Sequence, residues 1–371
     1  MKISPVAWLF ALVVSVQPAA AQYQTALPGY HYEFPKDHFN HPDYQTEWWY
    51  FTGNVVAADG HRFGFELTFF RQGVDRSTDD RATWDIHDIY LAHLALSDID
   101  GNEFYHTERM NRPGPGIAGV DAARQIIWNG NWRVSWNENG DMQLNATSAD
   151  FSYLLLLHPE KPPVIQGENG VSQKAQGPGK ASHYISFTRL TTSGTIGLKK
   201  KIYHVSGSTW MDHEFFTHSL ETSQVGWDWL SIQLGDNSEI MLYQIRRKDG
   251  SVDPYSSGSY TDARGKSTPL SASDFILRPA GETWRSPVTS ANYPIRWSIS
   301  IPRFGIALEA RTELKQQEIS GQTRIAPSYW EGAIRLTGHK GADQLDGVGY
   351  LEMTGYDRPI DLGSPGERAI R

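Results

Sequence analysis

The sequence predicts an all-β protein built as two tandem antiparallel β-barrels, and three observations predict it. Helix signals are scarce, while short alternating runs bounded by Gly, Asp, Asn and Pro recur throughout. The 371 residues exceed one domain at about 100–200 residues each. The same hairpin pattern also occurs twice, about 180 positions apart, and domain-sized recurrence is the mark of an internal duplication. In the first copy Trp48 to Val55 runs into Ala58-Asp59-Gly60, and the chain returns from Arg62 to Arg71 with Phe63, Phe65, Leu67 and Phe69 on one face. In the second, Trp227 to Leu234 turns at Gly235-Asp236-Asn237 and returns from Glu239 to Arg246 with Ile240 and Leu242 on one face. Tyr329 to Leu336 and Gly349 to Thr354 supply closing strands. Sheets of roughly seven to nine short strands are expected to close or nearly close, because closure removes exposed edges; a pair of β-sandwiches fits the same pattern.

The expected first domain spans residues 22–190 and the second 195–361, with 362–371 a flexible tail. In this reading Ser182 to Phe187 ends the first domain, Gly194 marks the turn, and Thr195 to Ser206 opens the second. Gln166 to Lys180, rich in Gly, Gln and Lys, reads as a long loop. Residues 1–21 have the layout of a cleavable signal peptide: Lys2, an apolar stretch from Val6 to Val16, then Pro18 and Ala19-Ala20-Ala21; an uncleaved N-terminal anchor is the competing reading. No later segment approaches ~18 uninterrupted apolar residues, so the mature chain is expected to lack a transmembrane segment. With no cysteine, an exported chain must be stabilised by its core rather than by disulfides. A formal net charge of −8 argues against nucleic acid and anionic membrane surfaces as partners. The 13 Trp and 17 Tyr suit wide β-cores or pockets for large apolar ligands, and each half is expected to curl around a hollow lined by such rings.

Candidate chemistry concentrates where tryptophans meet acids and histidine. In the strand Glu47-Trp48-Trp49-Tyr50-Phe51, Trp48 and Tyr50 share one face and Glu47, Trp49 and Phe51 the other. Glu47 is either a partly desolvated proton donor or a structural acid bonded to backbone or to a strand Arg such as Arg71. In Trp210-Met211-Asp212-His213-Glu214-Phe215 the two acids share one face, which leaves His213 either to face a pocket beside Met211 and Phe215, where an imidazole can donate or accept a proton near neutral pH, or to be a hydrogen-bonded core residue, as a lone strand His more often is. In Trp227-Asp228-Trp229 the acid projects opposite to the two indoles, solvated or, at a barrel corner, turned inward as a second acid. Asp85, His87, Asp88 and His93 have metal-ligand residue types but no convergent set of four, so neither metal nor cofactor is expected. Hydrolase elbows, phosphate loops and dinucleotide fingerprints have no counterpart in the sequence.

Tyr44 to Gly53, Gln166-Gly167-Glu168, Trp210 to Glu214, Gly226-Trp227-Asp228-Trp229 and Tyr329-Trp330-Glu331-Gly332 together resemble the AttH and carotenoid 1,2-hydratase family. The resemblance spans essentially the whole mature chain. It implies two tandem lipocalin-like (calycin) barrels, an apolar small-molecule ligand, and, for the AttH branch, a periplasmic protein associated with ABC transporter components. It also implies a cofactor-free hydro-lyase, in which an acid protonates a terminal isoprenoid alkene, a tertiary carbocation forms under aromatic faces, and water captures it. The family's His-x-Trp falls on His213 and Phe215, and its Tyr-x-Asp falls near Tyr243 and Ile245, so one aromatic and one acid of the carotenoid hydratases are replaced. Two functions follow. One is a lyase or cyclase using His213 with Asp212 or Asp228 as proton source and Trp48, Trp49, Tyr50, Trp210, Phe215, Trp227, Trp229 and Tyr243 as ligand lining. The other is a non-catalytic carrier that hands an apolar molecule to a transporter.

Overall fold

A computed structural model of the chain describes residues 23–74, 86–218, 220–320 and 328–360; the expected signal peptide and tail lie outside them. The first sheet holds β1 (Thr46–Ala57), β2 (Arg62–Gly73), β3 (Asp88–Asp98), β4 (Glu103–Asn111), β5 (Ala118–Asp121), β6 (Ile126–Asn129), β7 (Trp132–Trp136), β8 (Met142–Thr147) and β9 (Phe151–Pro159). The short β10 (Val164–Ile165) and β11 (Ser172–Gln173) follow, then the long β12 (Ala181–Leu198) and β13 (Lys201–Phe216). Its order is β4-β3-β2-β1-β13-β12-β9-β8-β7-β6-β5, with β10 and β11 added to β12. The sheet curls until its edges nearly meet. Side chains rather than a backbone ladder join the seam: the Asn111 amide donates to Asn129 Oδ1 at 2.6 Å, and the buried Asn129 amide donates to the Tyr90 carbonyl at 3.2 Å.

The second sheet holds β14 (Gln224–Leu234), β15 (Glu239–Arg247), β16 (Ser257–Thr261), β17 (Ser267–Ser271) and β18 (Ile276–Pro279). After the small hairpin β19 (Thr283–Arg285) and β20 (Asn292–Pro294) come β21 (Arg296–Ile301), β22 (Ile306–Arg311), β23 (Glu318–Ile319), β24 (Tyr329–Lys340) and β25 (Asp343–Thr354). It runs β17-β16-β15-β14-β25-β24-β22-β21-β18 and remains a half-barrel. Both sheets share one logic. The opening hairpin pairs through its first strand with the last strand of its own half, β1 with β13 and β14 with β25, so the two similar hairpins occupy equivalent places.

The boundary expected at 190–195 is displaced. Gly194 lies within β12, not in a turn; it is glycine because a Cβ there would sit 2.1 Å from the Leu154 carbonyl oxygen of neighbouring β9. The chain reverses instead at Lys199-Lys200, both with positive φ (50° and 65°), as a two-residue hairpin turn requires. β13 therefore completes the first sheet, and the division between sheets falls between Phe216 and Gln224.

Alternation fills the interiors. Trp49, Phe51, Phe63, Phe65, Leu67 and Leu144 pack with other buried side chains inside the first barrel, and Leu230, Ile232, Trp297, Trp330, Ile334 and Leu351 inside the half-barrel. The hollow expected within each half is thus occupied by the protein's own side chains. No helix among the described residues is long and apolar enough to cross a membrane.

Candidate functional site

The two sheets meet through their outer faces, β1, β2 and β12 against β14, β15, β24 and β25. Close approach is allowed at Gly64, where a Cβ would lie 2.7 Å from the Ala333 Cβ. Here a third cluster forms: Tyr50, Tyr184, Trp210, Trp229, Tyr243 and Tyr350 among its buried members, with Trp48 and Trp227 at its margin. Strand register sets ionisable groups into this layer. Asp212 stands opposite Tyr50 on one side and Ser186 on the other, and Glu66 stands opposite Thr52. On the facing sheet, Glu331 pairs with Glu352, which pairs with Trp229, which pairs with Tyr243.

Asp212 is held by three donors. Tyr184 donates to Oδ2 at 2.5 Å, while Ser186 and the Trp210 indole donate to Oδ1 at 2.5 and 2.7 Å. From the other sheet, the Trp229 indole donates to the same Tyr184 hydroxyl at 3.0 Å. Burial pushes the Asp212 carboxyl up to about 7, with the three donors only partly offsetting it. Tyr50 donates to Glu331 Oε1 at 2.5 Å across the interface. Burial and then the neighbouring Glu352 and Glu66 drive Glu331 well above the usual carboxylate range. Burial likewise raises Glu352 to about 8 and Glu66 to about 7. Of these five acids, counting Glu214, only Glu214 has an ion-pair partner among the described residues: Lys174, whose Nζ is 3.5 Å from Oε2 and 3.9 Å over the Tyr243 ring. Burial without a facing cation therefore shifts Asp212, Glu66, Glu331 and Glu352 toward their protonated forms. Thr52 Oγ1, Glu66 Oε2 and Glu331 Oε2 are buried without a hydrogen-bond partner, places where a polar guest or water is expected. One residue along from Lys174, Ala175 belongs to the wall of an open cleft of about 580 Å³ that also includes Lys180, Glu221, Arg247, Asp253 and Tyr255.

The three catalytic candidates occupy three places. Asp212 faces the inter-sheet layer. His213, on the opposite face of the same strand, points into the mouth of the first barrel, with Nε2 2.9 Å from Glu47 Oε1, Nδ1 3.1 Å from the Asp37 carbonyl oxygen, and its ring stacked on Trp49. Asp228 lies on the inner face of the half-barrel, 2.9 Å from the Tyr356 hydroxyl and 3.2 Å from Arg246 Nε; burial raises it to about 6 against the Arg246 charge. His213 and either aspartate therefore form no single proton-transfer unit: successive strand residues project oppositely, which separates Asp212 from His213, and Asp228 lies in the other sheet.

Six of the eight expected lining residues gather in the inter-sheet layer: Trp48, Tyr50, Trp210, Trp227, Trp229 and Tyr243. Trp49 belongs instead to the first barrel's interior, and Phe215 packs with Tyr44 and Ile185 beneath the N-terminal segment. Glu47 takes the structural alternative: Arg71 Nε is 3.0 Å from Oε2, and the His41 backbone N–H donates at 2.9 Å. Though burial alone would raise it, bonds from His213 and His41 and the Arg71 charge hold Glu47 well below the usual range. The weighed metal residues do not gather: Asp85 lies outside the described residues, Asp88 pairs with Arg71 at 2.9 Å, and His93 Nδ1 is 2.5 Å from the Tyr329 hydroxyl.

Sequence reasoning missed Glu66, Glu352, Tyr184 and His41. Glu331 was present in the quoted Tyr329-Trp330-Glu331-Gly332 segment, whose Trp-acid mixture was the signal for it.

Fold and site together define a class: a lipocalin-like protein of two β-sheets that buries carboxyl groups and aromatic rings between them. The sequence model of the AttH-like family matches residues 25–356, and this chain belongs to that family. A protein of Nitrosomonas europaea designated AttH shares 30% identity with a TM-score of 0.79, covering 90% of this chain and 99% of that one. Kievitone hydratase from Nectria haematococca shares the fold at 14% identity and a TM-score of 0.69, covering 91% of this chain and 97% of that one. The dehydratase asqC of Emericella nidulans is 19% identical over 280 residues, 72% of this chain and 77% of that protein.

Proposed function

We propose that this chain is an exported, cofactor-free lyase of the hydratase–dehydratase type, acting on a large apolar isoprenoid- or polyketide-like molecule held between its two sheets. The observation that carries the reading is Asp212: a buried carboxyl fixed by Tyr184, Ser186 and Trp210 and walled by aromatic rings from both sheets. A neutral acid in such a setting can deliver its proton to an alkene carbon. The carbocation so formed is stabilised by the faces of Tyr50, Trp210 and Trp229, water adds to it, and the proton lost from that water returns to the Asp212 carboxylate. Run in reverse, the same acid protonates a leaving hydroxyl. The similar hydratase and dehydratase are named for water addition and removal. The resemblance sets Phe215 where carotenoid hydratases carry a Trp and brings Ile245 near the position of their acid, which favours a substrate class wider than carotenoids. The basic start, apolar run and Ala19-Ala20-Ala21 of residues 1–21 support export to the periplasm.

The test is native mass spectrometry of the purified protein for co-purifying apolar molecules, followed by incubation of those molecules, and of an acyclic carotenoid, in isotopically labelled water. Wild type is expected to give product carrying or lacking one water, and Asp212→Asn to lose roughly 10²–10⁴ of that rate while its circular dichroism is unchanged. Unaltered ligand from both proteins overturns the lyase and leaves a periplasmic carrier.

A further inference from the structure

His41, Glu47 and His213 are buried and place one ligand-type atom each within 4.8 Å of one another. Their hydrogen-bond geometry shows an imbalance. His41 Nε2 faces Asp37 Oδ1 at 3.2 Å and its Nδ1 faces Glu47 Oε1 at 2.7 Å. His213 Nδ1 faces the Asp37 carbonyl oxygen at 3.1 Å, and its Nε2 faces the same Glu47 Oε1 at 2.9 Å. In all four contacts the facing oxygen only accepts, whereas a neutral imidazole has one donor and one acceptor. Satisfying the centre with protons alone needs two imidazolium rings, 5.4 Å apart between centroids, converging on one carboxylate oxygen.

A divalent cation resolves this conflict with no change in net charge. It replaces the two protons that would point at Glu47 Oε1, leaving His41 Nε2–H and His213 Nδ1–H to donate to Asp37. Both outer nitrogens would then be oriented by a carboxylate and a carbonyl, as ligating histidines usually are. Glu47 Oε2 stays engaged by Arg71, so Oε1 serves as the third ligand, and two acids (Asp37 and Asp88) besides Glu47 balance Arg71 and the ion. The Phe215 ring stacked 3.5 Å from His41 and the Trp49 ring against His213 fix both imidazoles in plane.

The geometry points to a metal site at the mouth of the first barrel, in which His41 Nδ1, His213 Nε2 and Glu47 Oε1 bind a divalent first-row ion, with Zn²⁺ favoured by this borderline nitrogen and oxygen donor set. The ion would pin residues 37–47 to the end of β13, a role separate from chemistry between the sheets. This revises the expectation of no metal. The full chain is purified without chelator and its metal measured by plasma mass spectrometry; a second sample is stripped with chelator in denaturant and refolded with Zn²⁺ or Co²⁺. The expected result is a stoichiometric ion per chain, visible ligand-field absorption with Co²⁺, a melting temperature lowered by stripping, and Asp37→Asn weakening the ion roughly 10–100-fold in a folded protein. Refolded wild type that binds no ion, or binds it no better than the His41→Gln/His213→Gln double variant, overturns the site. The first outcome leaves a purely protonic network and the second an adventitious ion only.

Discussion

The molecule contains two buried polar centres that treat carboxylates in opposite ways. At the barrel mouth, Glu47 meets Arg71, His41 and His213 and is held well below its ordinary range. Between the sheets, Asp212, Glu66, Glu331 and Glu352 meet hydroxyls, indoles and one another, and all four are raised. Burial is equally severe in both places. What differs is the supply of positive charge, and the lesson is that the first centre is built to hold charge and the second to hold protons.

Breaking the charged centre should have the largest effect. Glu47→Gln leaves Arg71 and the histidines without their shared acceptor, and should destabilise the protein by ~3–5 kcal/mol in urea unfolding. A loss below ~1 kcal/mol would mean that Arg71 finds enough compensation in Asp88 and the carbonyls of His41 and Tyr44.

The proton-holding centre predicts an opposite pH dependence. Glu352 has an ordinary value of 4.5 and a folded value of about 8, so between these the folded state keeps a proton that the unfolded chain has lost. Its contribution to stability is therefore complete at low pH and declines as pH rises through that window, by ~1.4 kcal/mol per pH unit for one such group. Glu352→Gln, which cannot ionise, should flatten the decline by about that slope in denaturation series at increasing pH. An unchanged slope would show that Glu352 ionises freely in the fold.

Smaller effects sharpen the contrast. Tyr50→Phe removes the hydroxyl that donates to Glu331 Oε1 and should cost ~1–3 kcal/mol by leaving a buried acceptor bare; a neutral result would place water there. Arg62→Ala removes partly exposed bridges to Asp100 and Glu313 and should cost no more than ~1 kcal/mol, though it too links the two halves. A larger loss would show that the halves are held together at their rim rather than by the layer between them.

The sequence displayed the fold more fully than the site. Phe63, Phe65, Leu67 and Phe69 alternate as a barrel interior must, and both hairpins stand where their turns place them. Gly194 misled because close approach and turning both select glycine, and Lys199-Lys200 is not a usual dipeptide for a positive-φ turn. Tyr50, Trp210, Asp212 and Trp229 were legible as a mixture of rings and acids. Glu66 was not, because an acid on the face opposite Phe65 and Leu67 reads as solvated until a second sheet covers it. His41 lies in a segment without periodicity, so its approach to Glu47 and His213 comes from tertiary folding alone.

Infrared difference spectroscopy, recorded as pH is raised from 6 to 9, tests the neutral-acid layer most directly. The account predicts a protonated-carboxyl band present at pH 6 that bleaches across pH 7–8, with separate components missing in Asp212→Asn and Glu352→Gln. A wild-type protein showing only ionised carboxylates already at pH 6 would contradict it.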